Sequence, residues 1–264
     1  MYEKLKQRKV GIAEIMVLSI IMFRENIKSY WKMALMIGVP VSAVITYVSN
    51  SGITSSGIMT YLAAIAGGNA GNISEADFFN FAKYYAIFML VQAVSMPLVT
   101  MAGAYFARAK AEGLECSEKE AVLAALGKGS VIIFAAIIKE LFVMATSILI
   151  IPCIIVLVNF YFYAHTAVLE DAGVIKCFKR SASVVKGRFF DIMLAMLFIF
   201  FMEQSISYMV QLIFSFVQFT PATEFIQRMI ITFFGFIFIN GSTLLYINRK
   251  YMRDGFLPEI NVVE

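Results

Sequence analysis

The sequence predicts an all-α membrane protein with six transmembrane helices in three hairpins, each hairpin preceded by a cytoplasmic interfacial amphipathic helix. Hydrophobic residues make up 60% of the 264 residues and charged residues only 15%, whereas a soluble domain has about 45–50% and about 25%. The mean hydropathy is +0.79, and several apolar runs are long enough to cross a bilayer. This composition excludes a soluble globular enzyme, a disordered chain and a secreted disulfide scaffold.

The N-terminal region contains an amphipathic segment, residues 11–29, in which apolar residues recur at helical spacing between polar ones. We expect this segment to lie on the cytoplasmic membrane surface. Its apolar part is too short to cross about 30 Å of hydrocarbon, and no signal-peptide cleavage site follows it. Trp31 and Lys32 are typical of an interfacial anchor. The first span is expected at about 30–48, with a kink at Pro40.

The next part of the chain contributes one span and one surface helix. Residues 50–71 contain no Lys or Arg and are expected to form a loop before the second span, at about 81–104. A second surface helix is expected at about 117–128. Ser117 and Glu120 form a capping-box pattern at its start, which is typical of a helix N-terminus.

The apolar stretch 130–168 decides the topology, because it is about twice as long as the roughly 20 residues that one span needs. It is either one overlong helix or two spans, at about 130–150 and 152–168, joined by a tight turn near Ile150–Cys153, where Pro152 lies. With two spans, all but three of the 22 Lys and Arg residues lie on one side of the membrane; the exceptions are Lys83, Lys139 and Arg228. The positive-inside rule favours two spans and places both termini in the cytoplasm.

The C-terminal part contributes a third surface helix at about 171–187 and two further spans at about 190–214 and 225–247. Thr220 followed by Pro221 is typical of an N-cap and a first helical position. The whole chain of 264 residues is therefore expected to form a single transmembrane domain. It would consist of three units, each a surface helix followed by a helical hairpin.

The segment after the fourth span carries short motifs that resemble a known family. An apolar span ends in a Glu, a surface helix with a Lys/Arg-Ser step follows, and a Lys-Gly step precedes the next span. These motifs are Glu170, Lys179-Arg180-Ser181 and Lys186-Gly187, and Met22–Asn26 and Ile151-Pro152 fit the same layout. The layout resembles that of bacterial polytopic membrane proteins related to the glycerophosphodiester phosphodiesterase membrane domain.

This resemblance implies a six-span, non-catalytic membrane module that is sometimes attached to a phosphodiesterase. The chain departs from the family pattern at Cys153, where the pattern usually has Gly, and we expect it to carry no phosphodiesterase domain. Metal-dependent hydrolysis of that kind needs clustered histidines and carboxylates, and the sequence has a single histidine, His165. We therefore expect no catalytic activity, no cofactor and no bound metal.

Ionisable residues within spans are the first candidates for function, since a charge inside a bilayer is costly. Lys139 and Glu140 lie near the middle of the third span, and Glu203 and Gln204 near the middle of the fifth. We expect Lys139 to pair with Glu203 or with Glu140. Two interpretations remain open: a buried ion pair that fixes helix register, or a polar lining for a substrate or proton route.

The cytoplasmic segment between the fourth and fifth spans is a second candidate, as a surface that binds lipid or a partner protein. Its cations favour attraction to anionic lipid or docking of a cytoplasmic partner. The alternative is a solvated surface helix with local ion pairs. The residues concerned are Glu170, Lys176, Lys179, Arg180, Lys186 and Arg188.

The remaining reactive residues form no recognisable site motif. No second His or nearby Cys gives His165 a zinc-ligand spacing, so a core or interfacial histidine is expected. Cys116, Cys153 and Cys177 are expected to be free thiols. Membrane orientation accounts for the basic residues, so no nucleic-acid partner is expected.

Two functions are compatible with these observations. The first is a non-enzymatic integral protein of a bacterial cytoplasmic membrane, a scaffold or accessory subunit that organises membrane lipids or a partner complex. The alternative is a small transporter or lipid-handling permease that uses the charged residues of its spans. A transporter predicts a polar cavity at those charges, whereas a scaffold predicts that they are sealed between packed helices.

Overall fold

The computed structural model describes residues 2–50, 75–146, 149–218 and 220–255, and every regular element in these ranges is helical. The predicted loop at 50–71 lies, apart from Asn50, outside the described residues. A π-helical turn, Ala34–Gly38, joins α3 to α4. In chain order the helices are α1 (Lys4–Gln7), α2 (Ile12–Glu25), α3 (Ile27–Met33), α4 (Val39–Asn50), α5 (Glu75–Ala111), α6 (Glu118–Gly127), α7 (Gly129–Thr146), α8 (Ile150–Asn159), α9 (Tyr163–Leu169), α10 (Val174–Val185), α11 (Phe189–Phe214) and α12 (Pro221–Asp254).

Six helical segments in the described ranges are long and apolar enough to cross a membrane. They are Ile27–Asn50, Leu90–Ala111, Gly129–Thr146, Ile150–Leu169, Phe189–Phe214 and Pro221–Asp254. This confirms the all-α class with six membrane-spanning helices that the sequence predicts. Helices α2, α6 and α10 fall within the three predicted surface segments.

The first span contains a wider helical turn directly before its proline. Pro40 has no N–H to donate to the carbonyl of Met36, and its ring crowds that carbonyl. The π-helical turn relieves this crowding, since the N–H of Val39 donates to the carbonyl of Ala34, five residues earlier. The irregularity that the sequence predicts at this proline is thus a π-turn.

The long apolar stretch 130–168 is divided between separate helices, with α7 ending at Thr146 and α8 beginning at Ile150. Of the two alternatives for this stretch, the single overlong helix is therefore wrong. The expected position of the turn is also wrong, because α7 already ends at Thr146 and α8 begins at Ile150. Pro152 lies in the first turn of α8. A missing N–H there breaks no intrahelical hydrogen bond, so this proline is compatible with the start of a helix.

Helix α2 packs against α12 and contributes to the core. Gly241 of α12 lies at this contact, where a Cβ atom would be 2.9 Å from the sulfur of Met16. Val17 and Ile20 lie on the exposed side of α2. The inner face of α2 buries Ile15, Met16, Leu18, Ser19, Met22 and Phe23.

Tyr30 lies at the centre of the packed helices and is fully buried. Its hydroxyl donates a hydrogen bond to Asn240 Oδ1 at 2.8 Å. Its ring centroid lies 5.3 Å from the rings of Phe23, Phe106 and Phe236. The Tyr30 ring thus packs α3 against α2, α5 and α12. Because its hydroxyl group keeps a hydrogen-bond partner, burying this polar group costs little free energy.

Contacts at one end of the bundle join the N-terminal segment to the C-terminal end of α12. The N–H of Val10 donates to Asn248 Oδ1 at 3.1 Å, and Asn248 Nδ2 donates to the carbonyls of Leu5 and Arg8 at 2.7 Å. Asp191 at the start of α11 pairs with Lys9 at 3.2 Å. The first and last parts of the described chain therefore lie at the same end of the bundle.

Candidate functional site

A partly open cavity of about 650 Å³ lies between α5, α7, the α8–α9 junction, α11 and α12. Its size is within the range of pockets that hold small organic ligands, about 300–1,000 Å³. The polar residues of its lining come from all of these elements. They are Gln92, Thr100, Lys139, Glu140, Tyr161, Tyr163, His165, Glu203, Thr232 and Ser242.

A break in the fourth span brings two tyrosines to the cavity. The sequence predicts a continuous span, but α8 ends at Asn159 and α9 begins at Tyr163. Ser181 of α10 stabilises the break, since its buried hydroxyl accepts from the N–H of Phe162 at 3.1 Å and donates to the carbonyl of Asn159 at 2.6 Å. Backbone groups freed by a helix break need such partners in a membrane. The residues at the break, Tyr161 and Tyr163, line the cavity.

Lys139 and Glu140 form an ion pair in the cavity wall. The ammonium nitrogen of Lys139 lies 2.9 Å from Glu140 Oε1 and 5.9 Å from the ring centroid of Tyr163. Consecutive residues on a helix do not face each other, so both side chains must bend towards the same region to meet. Of the two partners that the sequence offers for Lys139, the structure selects Glu140.

Glu203 lines the same cavity, together with Tyr161. Among the described residues it makes neither a hydrogen bond nor an ion pair. Gln204, the other candidate on this helix, is exposed and does not line the cavity. Adjacent helix positions point about 100° apart, and on α11 the side chain of Glu203 faces the cavity while that of Gln204 faces outwards.

His165 is buried in the wall of the cavity, with an exposed fraction of 3%. Its Nε2 lies 3.1 Å from the hydroxyl of Ser242, which donates to the carbonyl of Ile239 at 3.0 Å. The His165 ring also stacks on Tyr246, with the centroids 5.9 Å apart. Because its partner is a hydroxyl group and not a carboxylate, nothing in these contacts favours the charged form of the ring.

The charged segment after the fourth span is divided into bound and exposed residues. Glu170 accepts hydrogen bonds from Tyr246 at 2.5 Å and Arg180 at 2.9 Å, and it pairs with Lys250 at 3.0 Å. Burial tends to raise the pKa of Glu170, but these three donors outweigh it and hold the pKa below its ordinary value. Glu170 therefore anchors this segment to α12.

Two arginines of the segment also bind α12, while its three lysines do not. The guanidinium group of Arg180 pairs with Asp254 at 2.5 Å, and this contact, followed by that to Glu170, raises the pKa of Arg180. Arg188 donates to the carbonyl of Met252 at 2.8 Å. The candidate surface is thus reduced to its exposed cations, which are Lys176, Lys179 and Lys186.

The cysteines lie apart from the cavity lining and are free thiols. Cys177 is buried in α10, and burial raises the pKa of its thiol to about 11. No group of three or more His, Cys, Asp or Glu suited to a metal ion occurs in the ranges that the structure describes.

The comparison with protein families gives a match over residues 79–247, more than half of the chain, to a domain of unknown function, DUF7847. The chain belongs to the DUF7847 family. The match begins before Gln92 and ends after Ser242, so the DUF7847 region contains every residue of the cavity lining. No curated protein and no solved structure matches the chain. The DUF7847 description names no activity, so the resemblance to the phosphodiesterase-associated membrane module remains a prediction.

Sequence reasoning missed two features of the site, the tyrosines and Ser181. The run Phe160-Tyr161-Phe162-Tyr163 directly after Asn159 is a signal that could have indicated a polar break, since two hydroxyl groups occur in an otherwise apolar span. Ser181 gives no comparable signal. It is 19 residues from Phe162 in the sequence, and only tertiary packing brings the two together.

Proposed function

We propose that this protein is a small transporter or lipid-handling permease whose cargo, or the polar part of it, binds in the cavity. The observation that carries the proposal is that Lys139, Glu140 and Glu203 line a cavity of about 650 Å³. A scaffold would be expected to seal these charges between packed helices. A binding site at the meeting point of several helices, one of them broken, is common in transporters.

The unpaired state of Glu203 also supports a functional site. A carboxylate inside a membrane domain is costly unless it is paired or hydrogen-bonded. Lys139 and Glu140 satisfy each other at 2.9 Å, whereas Glu203 has no such partner among the described residues. A purely structural role for Glu203 would require a partner within the protein, so a partner from outside the chain accounts better for its presence.

We propose further that the protein lies in a cytoplasmic membrane with both termini in the cytoplasm. The contacts of Val10 with Asn248 and of Lys9 with Asp191 support termini on one side. The excess of cations in the segments at this end supports the cytoplasmic side. Cysteine-reactive labelling of cells carrying Lys4→Cys or Lys179→Cys tests this topology, and modification of the two sites from opposite faces would contradict it.

Filling the cavity tests the transporter proposal directly. Gly235 lines the cavity, and a Cβ atom added there meets nothing within 4 Å. Gly235→Leu should therefore fold and occupy binding space. Gly129→Leu is the matched control, since Gly129 also has open space around it but does not line the cavity.

The readout is thermal stabilisation of the purified full chain by a panel of cationic, anionic, zwitterionic and neutral amphiphilic compounds. We expect at least one class to stabilise the unmodified protein and the Gly129→Leu control, with the effect lost in Gly235→Leu. If no class stabilises the protein, or if Gly235→Leu responds like the control, the cavity is not a binding site and the proposal fails.

Exposed lysines in α10 and directly after it support a second candidate, the scaffold or accessory role. Lys176, Lys179 and Lys186 are exposed and form no ion pair within 4.0 Å in the part of the chain that the structure describes. Such cations attract anionic lipid or an acidic protein surface. Replacing all three with Gln should reduce co-purification of a partner or anionic lipid in mild detergent, and unchanged co-purification would count against this role.

A further inference from the structure

The charges of the cavity do not cancel. Lys139 and Glu140 form an ion pair, and His165 is bonded to a hydroxyl group, so neither contact leaves an excess of positive charge. Glu203 is the remaining ionisable carboxyl group, and it has no partner among the described residues. The described lining therefore carries one negative charge in excess when its two glutamates and its lysine are ionised.

Aromatic rings accompany this carboxyl group. Tyr161 lies close enough to Glu203 for the two to interact electrostatically. Tyr163 already has an ammonium group, that of Lys139, 5.9 Å from its ring centroid. A carboxylate beside an aromatic ring is the combination that proteins use to bind organic cations, since the ring face also attracts positive charge.

Other classes of cargo fit this arrangement less well. An organic anion would meet Glu203 and would have to displace Glu140 from Lys139, so it would lose one ion pair while gaining another. A bare metal ion needs several oxygen ligands at close range, whereas the cavity holds about 650 Å³. A neutral ligand would leave Glu203 unpaired in the filled cavity.

We propose that the cavity binds an organic ammonium compound whose cationic nitrogen pairs with Glu203 and lies against Tyr161. This inference rests on the proposed binding function of the cavity and names its cargo class. The pairing satisfies the carboxyl group that has no partner among the described residues, and the apolar remainder of the cargo contacts Met96, Ile199 and Phe238 of the cavity wall. Cargo binding would thus make the cavity electrically neutral.

The test uses three probes with the same ring and different charge: benzylammonium, benzyl alcohol and benzoate. Calorimetric titration of the purified full chain at pH 7 should give the tightest binding for benzylammonium. In Glu203→Gln this binding should weaken by at least about tenfold, the usual result of removing one partner of a desolvated charge pair. Gln204→Leu is the matched control, because Gln204 is adjacent in sequence but exposed outside the cavity, and it should bind benzylammonium normally.

Four outcomes would overturn this inference. Benzoate could bind more tightly than benzylammonium and lose that binding in Lys139→Met, or benzyl alcohol could bind as tightly as benzylammonium. The other two outcomes are that none of the three probes binds, or that benzylammonium binds Glu203→Gln as it binds the unmodified protein. If Glu203→Gln fails to fold, the relative affinities of the three probes for the unmodified protein still test the inference. Stabilisation by another compound class that Gly235→Leu abolishes would leave the proposed function standing while this inference falls. If no compound class stabilises the protein, both the proposed function and this inference are contradicted.

Discussion

The hydroxyl group of Ser181 accepts a hydrogen bond from the N–H of Phe162 at 3.1 Å, and this contact closes the break in the fourth span. The same hydroxyl donates to the carbonyl of Asn159 at 2.6 Å. One side chain on a neighbouring helix thus satisfies a backbone donor and a backbone acceptor that the break frees. The geometry that presents Tyr161 and Tyr163 to the cavity depends on this side chain.

Replacing Ser181 with Ala should therefore destabilise the protein and disturb the cavity. Two buried backbone groups lose their partner, and an unsatisfied buried group costs about 1–3 kcal/mol. We expect a fall of this order in the free energy of unfolding, measured by denaturant titration in mixed micelles. Ser183→Ala is the control, since the Ser183 hydroxyl accepts only from the exposed Arg253 at 3.2 Å. Equal effects of the two substitutions would contradict the role given to Ser181.

Gly103 and Gly235 should respond in opposite ways to the same substitution. A Cβ atom at Gly103 would lie 2.7 Å from Cγ2 of Ile239 and 3.0 Å from Cδ1 of Phe236, where α5 meets α12. Gly103→Ala should therefore destabilise the protein by about 1–3 kcal/mol through overpacking. Gly235→Ala meets open space, and it should stabilise α12 by up to about 1 kcal/mol because Ala is the better helix former.

Thermal unfolding of the two alanine variants beside the unmodified protein provides the comparison. The prediction concerns which of the two variants has the higher melting temperature. Both variants replace a helical glycine with alanine, so the general effect of that change on the helix cancels in the comparison. A melting temperature for Gly103→Ala at or above that of Gly235→Ala would show that α5 and α12 do not approach each other as closely at Gly103.

The all-α class and the number of candidate spans could be predicted from the sequence because hydropathy and the distribution of cations act over whole segments. The sequence could not tell which of Glu203 and Gln204 faces inwards, since that choice depends on the rotation of α11 against its neighbours. It also could not reveal the break before Tyr163. The apolar run is continuous there, and the group that stabilises the break comes from a different helix.

Glu170 should make the stability of the protein depend on pH. Its folded-state pKa lies below the ordinary value because the hydrogen bonds from Tyr246, Lys250 and Arg180 outweigh the effect of burial. A carboxyl group whose pKa is lowered by folding stabilises the folded state fully above its unfolded-state pKa of about 4.3. This stabilisation is lost as the pH falls from about 5 through the lower, folded-state pKa.

Glu170→Gln should accordingly reduce the free energy of unfolding by about 1–3 kcal/mol at pH 7, and the difference from the unmodified protein should shrink as the pH is lowered below about 5. Unfolding measured from pH 7 to pH 3 gives both values. Asp171→Asn is the control, since the adjacent Asp171 is exposed and pairs only with Lys128, and an exposed pair contributes little. A Glu170→Gln difference that stays constant with pH would rule out this explanation.

Arg249 should hold the N-terminal segment in place. Its side chain is fully buried, its Nε lies 2.8 Å from Asp191 Oδ2, and its Nη1 donates to the carbonyl of Val10 at 3.1 Å. A lysine at this position carries the charge but has a single terminal nitrogen, so it cannot reach both partners with the same geometry. Arg249→Lys should destabilise the protein by about 2–4 kcal/mol.

The local consequence of Arg249→Lys is more specific than the loss of stability. The N–H of Val10 donates to the side chain of Asn248, so its hydrogen–deuterium exchange reports directly on the docking of the N-terminal segment. We expect faster exchange at residues 5–12 in Arg249→Lys while the amides of α5 keep their protection. Arg253→Lys makes the same chemical change at an exposed residue and should leave exchange at Val10 unchanged. If both variants exchange alike at Val10, the N-terminal segment is held by its other contacts, and Arg249 is not the residue that joins the two ends of the chain.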